Sequence, residues 1–226
     1  CAACSARLRE ITVADASEGL RWFDLTAGSV TVHWTPLDVG AALAARIEAQ
    51  DGVWVFASAT LAVGTVFSHF LCRIGLKAPL QAVLPSPFDY ERNARIYLPQ
   101  GLPDPSDEHY VDTLLATIWP LVEAGQGGAF LLFTSYRALQ RAERWLEGRA
   151  HPKLVLVQGR GSRSELLNQF RADGNAVLLG TGSFWQGVDV RGRALRLVVI
   201  DKLPFAVPSD PLVEARAEAI RRDGGD

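Results

Sequence analysis

"LLGTGSFWQGVDVRG", residues 178–192, decides how this chain reads. An apolar run breaks into a Gly-Thr-Gly turn, and Phe184, Trp185, Gln186, Gly187 and Asp189 follow within a few positions. Buried strands of parallel sheets look like the first half of that stretch, and ligand-facing bends look like the second.

Working outward, a regular alternation runs on both sides of it from Asp107. A helix from about Tyr110 to Glu123 leads to the strand "AFLLFTS", and a helix from Tyr136 to Leu146 leads to "KLVLVQG". The helix "SRSELLNQFRA" leads to "AVLLGTG", followed by the strand "LRLVVID" and a final helix from Pro211. Continuous apolar strands alternating with amphipathic helices predict an α/β fold with a parallel sheet covered on both faces. In such sheets ligands bind beyond the carboxyl ends of the strands. Thr134 and Ser135, Gln158 and Gly159, and Gly180, Thr181, Gly182 and Ser183 are predicted there. Glycines allow close approach of the main chain, and hydroxyls with N–H donors suit phosphate oxygens. Phe184 and Trp185 suit base stacking, and both also suit a core, Phe184 the more so. Asp189 meets a phosphate only through a cation, so a ribose hydroxyl or an arginine is its expected partner.

The preceding residues read differently. A helix is expected over Ala2–Ile11, then an Ala27-Gly28 turn before "SVTVHW", where Val30, Val32 and Trp34 alternate as on one face of a strand. Thr35 as N-cap and Pro36 in the first turn are expected to start a further helix, and "VWVFASATL" is expected as a short buried strand. Pro79, Pro85, Pro87, Pro99, Pro103 and Pro105 then crowd a stretch that reads as a linker with at most one edge strand, "ARIYL".

Composition narrows the function classes. Hydrophobic content of 48% and charged content of 21% in 226 residues suit a soluble globular protein of one or two domains. No apolar run approaches the length of a membrane span, and nothing resembles a signal peptide, so a cytoplasmic protein with no membrane partner is expected. The chain has no methionine and opens on Cys1, which raises the expectation of a segment of a longer protein. Cys1, Cys4 and Cys72 supply neither a complete metal motif nor a disulfide framework. The net charge of −2 hides an asymmetry: residues 130–200 carry 11 Lys and Arg against 5 Asp and Glu. Anionic ligands are drawn to that basic segment, although Arg137, Arg141 and Arg144 also suit a solvated helix face.

"SATL" at Ser58–Leu61, "LLFTSYRAL" at Leu131–Leu139, "LVQGRGSR" ending at Arg163, "LLGTGSFWQGVDV" and "VVIDKLPFAVPSDP" occur in this order. Together they resemble the C-terminal half of the DinG/YoaA-type, XPD-related superfamily 2 DNA helicases, over nearly the whole chain. The resemblance implies a RecA-like second helicase domain at 107–226, ending before the sixth motif. Residues 1–50 are then the end of an arch insertion and its return into the first helicase domain. Residues 51–84 close that first domain, and 85–106 link the two.

Ser58, Ala59 and Thr60 match the third motif, with Ser58 and Thr60 coupling hydrolysis to strand movement. Thr134, Ser135, Gln158 and Gly159 match DNA-facing positions. Gly180, Thr181, Gly182, Ser183, Phe184 and Trp185 are implied to lie along single-stranded DNA, with Gln186, Gly187 and Asp189 turned to the nucleotide. The implied parent uses ATP and Mg²⁺, moves 5′ to 3′, carries a 4Fe-4S cluster, and works with replication or repair proteins in the bacterial cytoplasm.

Departures from the pattern matter as much. None of Lys77, Lys153 and Lys202 has a glycine before it or a Ser or Thr after it, so no phosphate loop is present. Asp107, Glu108 and His109 follow prolines and read as a helix N-terminus, not an acidic metal-binding box. Cys1 and Cys4 do not supply the iron–sulfur ligands. This piece alone is therefore not expected to hydrolyse ATP. The alternative is a non-catalytic RecA-like module binding nucleic acid or a protein partner. A dinucleotide site is disfavoured because the residue three after Gly182 is Trp185, which breaks the G-x-G-x-x-G spacing.

Overall fold

A computed structural model describes residues 5, 12, 19–77, 79–205, 210–222 and 224. It divides into two compact units, one of residues 95–205 and one of residues 1–94 with 206–226. The predicted helix over Ala2–Ile11 and the Cys1/Cys4 pair lie outside the described residues.

The hairpin of the second unit follows its sequence. β1 (Gly19–Thr26) pairs antiparallel with β2 (Ser29–Pro36), and Thr26 faces Ser29 across the Ala27-Gly28 turn. Trp22 stacks on His33 with centroids 4.0 Å apart and donates its indole N–H to Thr35 Oγ1. The Val30 and Val32 side chains alternate as predicted but remain exposed.

Two expectations in this unit fail. Thr35 and Pro36 finish β2, and the helix α1 (Gly40–Glu48) starts four residues later. α1 packs on α2 (Ser68–Ile74), where the Gly75 backbone, at φ +70, sits so close to Gly40 that a Cβ would lie 2.3 Å from the Gly40 carbonyl oxygen. "VWVF" forms no strand, and Val53 is 92% exposed. A strand exists only by pairing, and the described residues of this unit offer it no ladder partner. "ARIYL", residues 94–98 at the boundary of the two units, follows the single turn α3 (Tyr90–Asn93) and joins no sheet, within the expectation of at most one edge strand. Beyond it, α7 (Pro211–Arg222) packs against β1.

In residues 95–205 the α/β alternation appears as read. The elements are α4 (Tyr110–Ala124), β3 (Ala129–Leu132), α5 (Tyr136–Glu147), β4 (Val155–Val157), α6 (Arg163–Asp173), β5 (Val177–Gly180) and β6 (Leu197–Ile200). All four strands are parallel, in the order β4-β5-β3-β6, the arrangement of a RecA-like domain. Because side chains alternate across a strand, each strand feeds two cores. Leu131, Phe133, Val157, Val177 and Leu179 pack under α4 and α5, whereas Phe130, Leu132, Leu156 and Leu178 pack under α6.

Local chemistry sets the helix ends on this scaffold. Ser135 Oγ accepts the Ala138 N–H at the start of α5. Ser162 and Glu165 form a reciprocal capping box on α6, which ends at Gly174 in the left-handed region. Asp107 Oδ1 accepts the His109 N–H just ahead of α4, so the acidic triplet serves as a helix entry. Lys153 is buried at the opposite end of the sheet, with Nζ donating to the carbonyls of Gly125, Gly127 and Asn175.

Candidate functional site

The parallel register brings four strand ends side by side. Leu132 pairs with both Gly180 and Ile200, and Val157 with Leu179. The ladder continues one step past the strands: Phe133 donates to Gly180 O, Gln158 to Leu179 O and Asp201 to Leu132 O. Thr134, Gln158, Thr181 and Asp201 therefore emerge together.

Side-chain bonds lock these ends to one another. Gln158 Oε1 accepts both the N–H (2.7 Å) and the hydroxyl (3.1 Å) of Thr181. Its amide donates 2.6 Å to the Tyr136 hydroxyl, at the first residue of α5. On the other side, Asp201 Oδ1 accepts the Thr134 N–H (3.1 Å) and the Lys202 N–H (2.8 Å). Asp201 Oδ2 accepts the Thr134 hydroxyl at 3.4 Å and lies 3.7 Å from Lys202 Nζ. Burial pushes the Asp201 carboxyl above the ordinary carboxylate range, against the pull of Lys202 and the Thr134 donors. Burial also raises the Tyr110 phenol, and the Asp201 charge adds to that; its hydroxyl donates to the Asp201 carbonyl.

The bend after β5 turns through a short 3-10 segment, Gly182–Phe184. Phe184 is 3% exposed and sits in the α6-side core, which corrects its expected DNA contact. Glycine at 180 suits that placement, since a Cβ there would lie 3.0 Å from the Phe184 side chain and the ring would have to give way. Trp185 is half-buried against the same core, beside Val188, Val190 and Leu195. Gly182 and Ser183 are exposed, and a Cβ at Gly182 would meet nothing within 4 Å. Arg163 Nη2 ties the bend to α6 through the carbonyls of Gln186 (2.8 Å) and Gly187 (2.9 Å). Arg171 holds the Asp189 carbonyl at 2.7 Å, and the exposed Asp189 carboxylate pairs with Arg191 at 3.0 Å. Arg171, Asp189, Val190, Arg191 and Ala194 line an open cleft of about 460 Å³.

A family described as "Helicase C-terminal domain" matches residues 118–226. Residues 118–226 are thus similar to a helicase C-terminal domain. It is 41% identical over 221 residues to the ATP-dependent DNA helicase YoaA of Escherichia coli, covering 97% of this chain and 34% of that protein. The Haemophilus influenzae ATP-dependent DNA helicase YoaA is 40% identical over 205 residues, covering 91% of this chain and 32% of the relative. The ATP-dependent helicase DinG of Mycobacterium tuberculosis (strain ATCC 25177 / H37Ra) is 38% identical over 194 residues, 84% of this chain and 29% of the relative. The chain thus spans about a third of the length of these relatives.

In residues 95–205 the sheet end gathers Thr134, Ser135, Gln158, Gly159, Gly180, Thr181, Gly182 and Ser183, while Gln186, Gly187 and Asp189 lie beside α6. Ser58 and Thr60 are in the other unit, in an exposed turn where the Thr60 N–H reaches Ser58 Oγ at 3.2 Å. Several hydroxyls have local duties: Ser135 caps α5, Thr134 serves Asp201, and Thr181 is buried against Gln158. Sequence reasoning missed Asp201, Lys202, Tyr136 and Arg163. An aspartate ending the apolar run "LRLVVI" was the available signal for a fourth strand tip. Among the described residues no three His, Cys, Asp or Glu side chains converge, so neither Mg²⁺ nor an iron–sulfur cluster is assigned a place. Among them, too, no helix is long and apolar enough to cross a membrane.

Proposed function

We propose that this chain is the second RecA-like domain, with the end of the first, of an ATP-dependent DNA helicase that moves 5′ to 3′ on single-stranded DNA in repair or replication. The observation that carries the reading is the in-register row of strand tips, cross-linked through Gln158 and Asp201 and presenting the open main chain of Gly182 and Ser183. The exposed main chain of Gly182 and Ser183 and the Ser183 hydroxyl, held in place by the bonded strand tips, suit a polynucleotide backbone, because their dipoles need little reorganisation when the strand arrives.

Gln186, Gly187 and Asp189 form the nucleotide-facing side of the same bend, with Arg163 and Arg171 fixing its main chain. A shift of the bend on ATP turnover would then move the DNA-gripping residues with it, since both groups sit on one short segment. Ser58 and Thr60 are the coupling residues of the first domain. ATP and single-stranded DNA are the ligands; Mg²⁺ and the 4Fe-4S cluster belong to the parent, and replication or repair proteins are its partners. The chain by itself does not hydrolyse ATP. The reading is tested in the full-length protein by placing a charge at Gly182 and measuring single-strand affinity. Loss of affinity supports it, and indifference to the charge refutes it.

A further inference from the structure

Of the two rings the sequence assigns to bases, Phe184 is in the core and Trp185 is half-buried against it. Tyr136 is different. It opens α5 directly after Thr134 and Ser135, and it is 57% exposed. Among the described residues no other aromatic ring stacks on it. Its hydroxyl is fixed at 2.6 Å from Gln158 Nε2, and Gln158 is itself held by Thr181. An aromatic with one end pinned and its face open loses little further freedom on binding, and every base offers a π-face.

We propose that Tyr136 is the nucleobase-stacking platform of this domain, positioned by the Thr181–Gln158–Tyr136 chain across the tips of β5, β4 and β3. The proposal rests on the single-strand reading above and adds to it where a base lies. The hydrogen bond aims the ring, and stacking supplies the affinity. A base seated on Tyr136 would have its phosphates beside the Gly182–Ser183 main chain.

The test uses the full-length protein without nucleotide, a fluorescein-labelled oligothymidine, and an abasic oligomer of the same length as a second probe. Tyr136→Ala is expected to weaken oligothymidine binding about five- to 150-fold. Tyr136→Phe keeps the π-face but loses the anchor to Gln158, so its loss is expected to be clearly smaller than that of Tyr136→Ala, about two- to fivefold. On the abasic oligomer, Tyr136→Ala and the parent should bind alike. Equal loss in the Phe and Ala variants, or an Ala loss that persists on the abasic probe, overturns stacking in favour of a hydroxyl or backbone contact. No loss in Tyr136→Ala, while Gly182→Glu weakens binding, overturns the Tyr136 assignment alone. No loss in either variant brings down the single-strand reading as well. Tyr136→Leu, which retains apolar bulk without a π-face, replaces the Ala variant if that one melts early, and the same outcomes apply.

Discussion

Gly182→Glu places a carboxylate on the proposed DNA ledge with little disturbance of the fold. A Cβ at this position meets nothing within 4 Å, and the backbone is outside the positive-φ region that disfavours L side chains. Replacing glycine at such a site also restricts the unfolded chain, so stability should hold or rise slightly. With the new carboxylate about 5–7 Å from a DNA phosphate, Coulomb repulsion is about 0.6–0.8 kcal/mol at the dielectric constant of water and about 2–3 kcal/mol at an effective value of 20. A site at the protein surface lies between these limits. A loss of about 1–2 kcal/mol, or about five- to thirtyfold in Kd, is expected at low salt.

The assay is fluorescence anisotropy of a labelled oligothymidine against the full-length protein, repeated as salt is raised. Screening over a Debye length of about 8 Å at physiological ionic strength should shrink the penalty. The slope of log Kd against log salt should become shallower by about one unit, as for loss of one phosphate contact. Gly182→Ala controls for the backbone and should bind like the parent. If Gly182→Glu folds normally and binds as tightly as Gly182→Ala at low salt, the tip of β5 does not face DNA and the ledge is wrong.

Three further outcomes are expected. Phe184→Ala should destabilise the domain by about 3–5 kcal/mol in urea unfolding, as for other fully buried aromatics; a loss below about 1 kcal/mol accompanied by collapse of DNA binding would return the ring to the ligand. Asp189→Ala should lower ATP turnover in the full-length protein while leaving nucleotide-free DNA binding intact, since its exposed pair with Arg191 contributes little to stability; collapse of DNA binding would show that the bend does not divide its two faces as proposed. Asp201 holds its proton more tightly folded than unfolded, so its contribution favours folding at low pH and declines as pH rises from the ordinary 3.8 through its raised folded value. Asp201→Asn keeps an oxygen for the Thr134 and Lys202 N–H groups and should remove that acid-range slope in thermal melts taken across pH; an unchanged slope would assign it to other groups.

Much of residues 107–200 was legible because its information is local. "AFLL" and "VLLG" are continuous apolar runs, as strands covered on both faces must be, and the Ser162/Glu165 box marks its helix start within four residues. The carboxyl-end rule for parallel sheets is enough to place Thr134, Gln158 and Thr181 together. "VWVF" has the same local character as "AFLL" yet forms no strand, because a ladder is made by a distant partner and propensity does not supply one.

The αβ alternation, the two-faced sheet and the row of strand tips follow from residue order alone, through periodicity and the geometry of parallel pairing. How neighbouring residues share their duties depends instead on packing in three dimensions. Phe184 and Trp185 are adjacent in the chain, but the turn at Gly182 sends the first into the core and leaves the second half outside it. The Thr134 hydroxyl is engaged by Asp201, 67 residues away, and Tyr136 is aimed by Gln158, 22 residues away. Such assignments depend on which groups meet in space, and one-dimensional spacing carries no record of them.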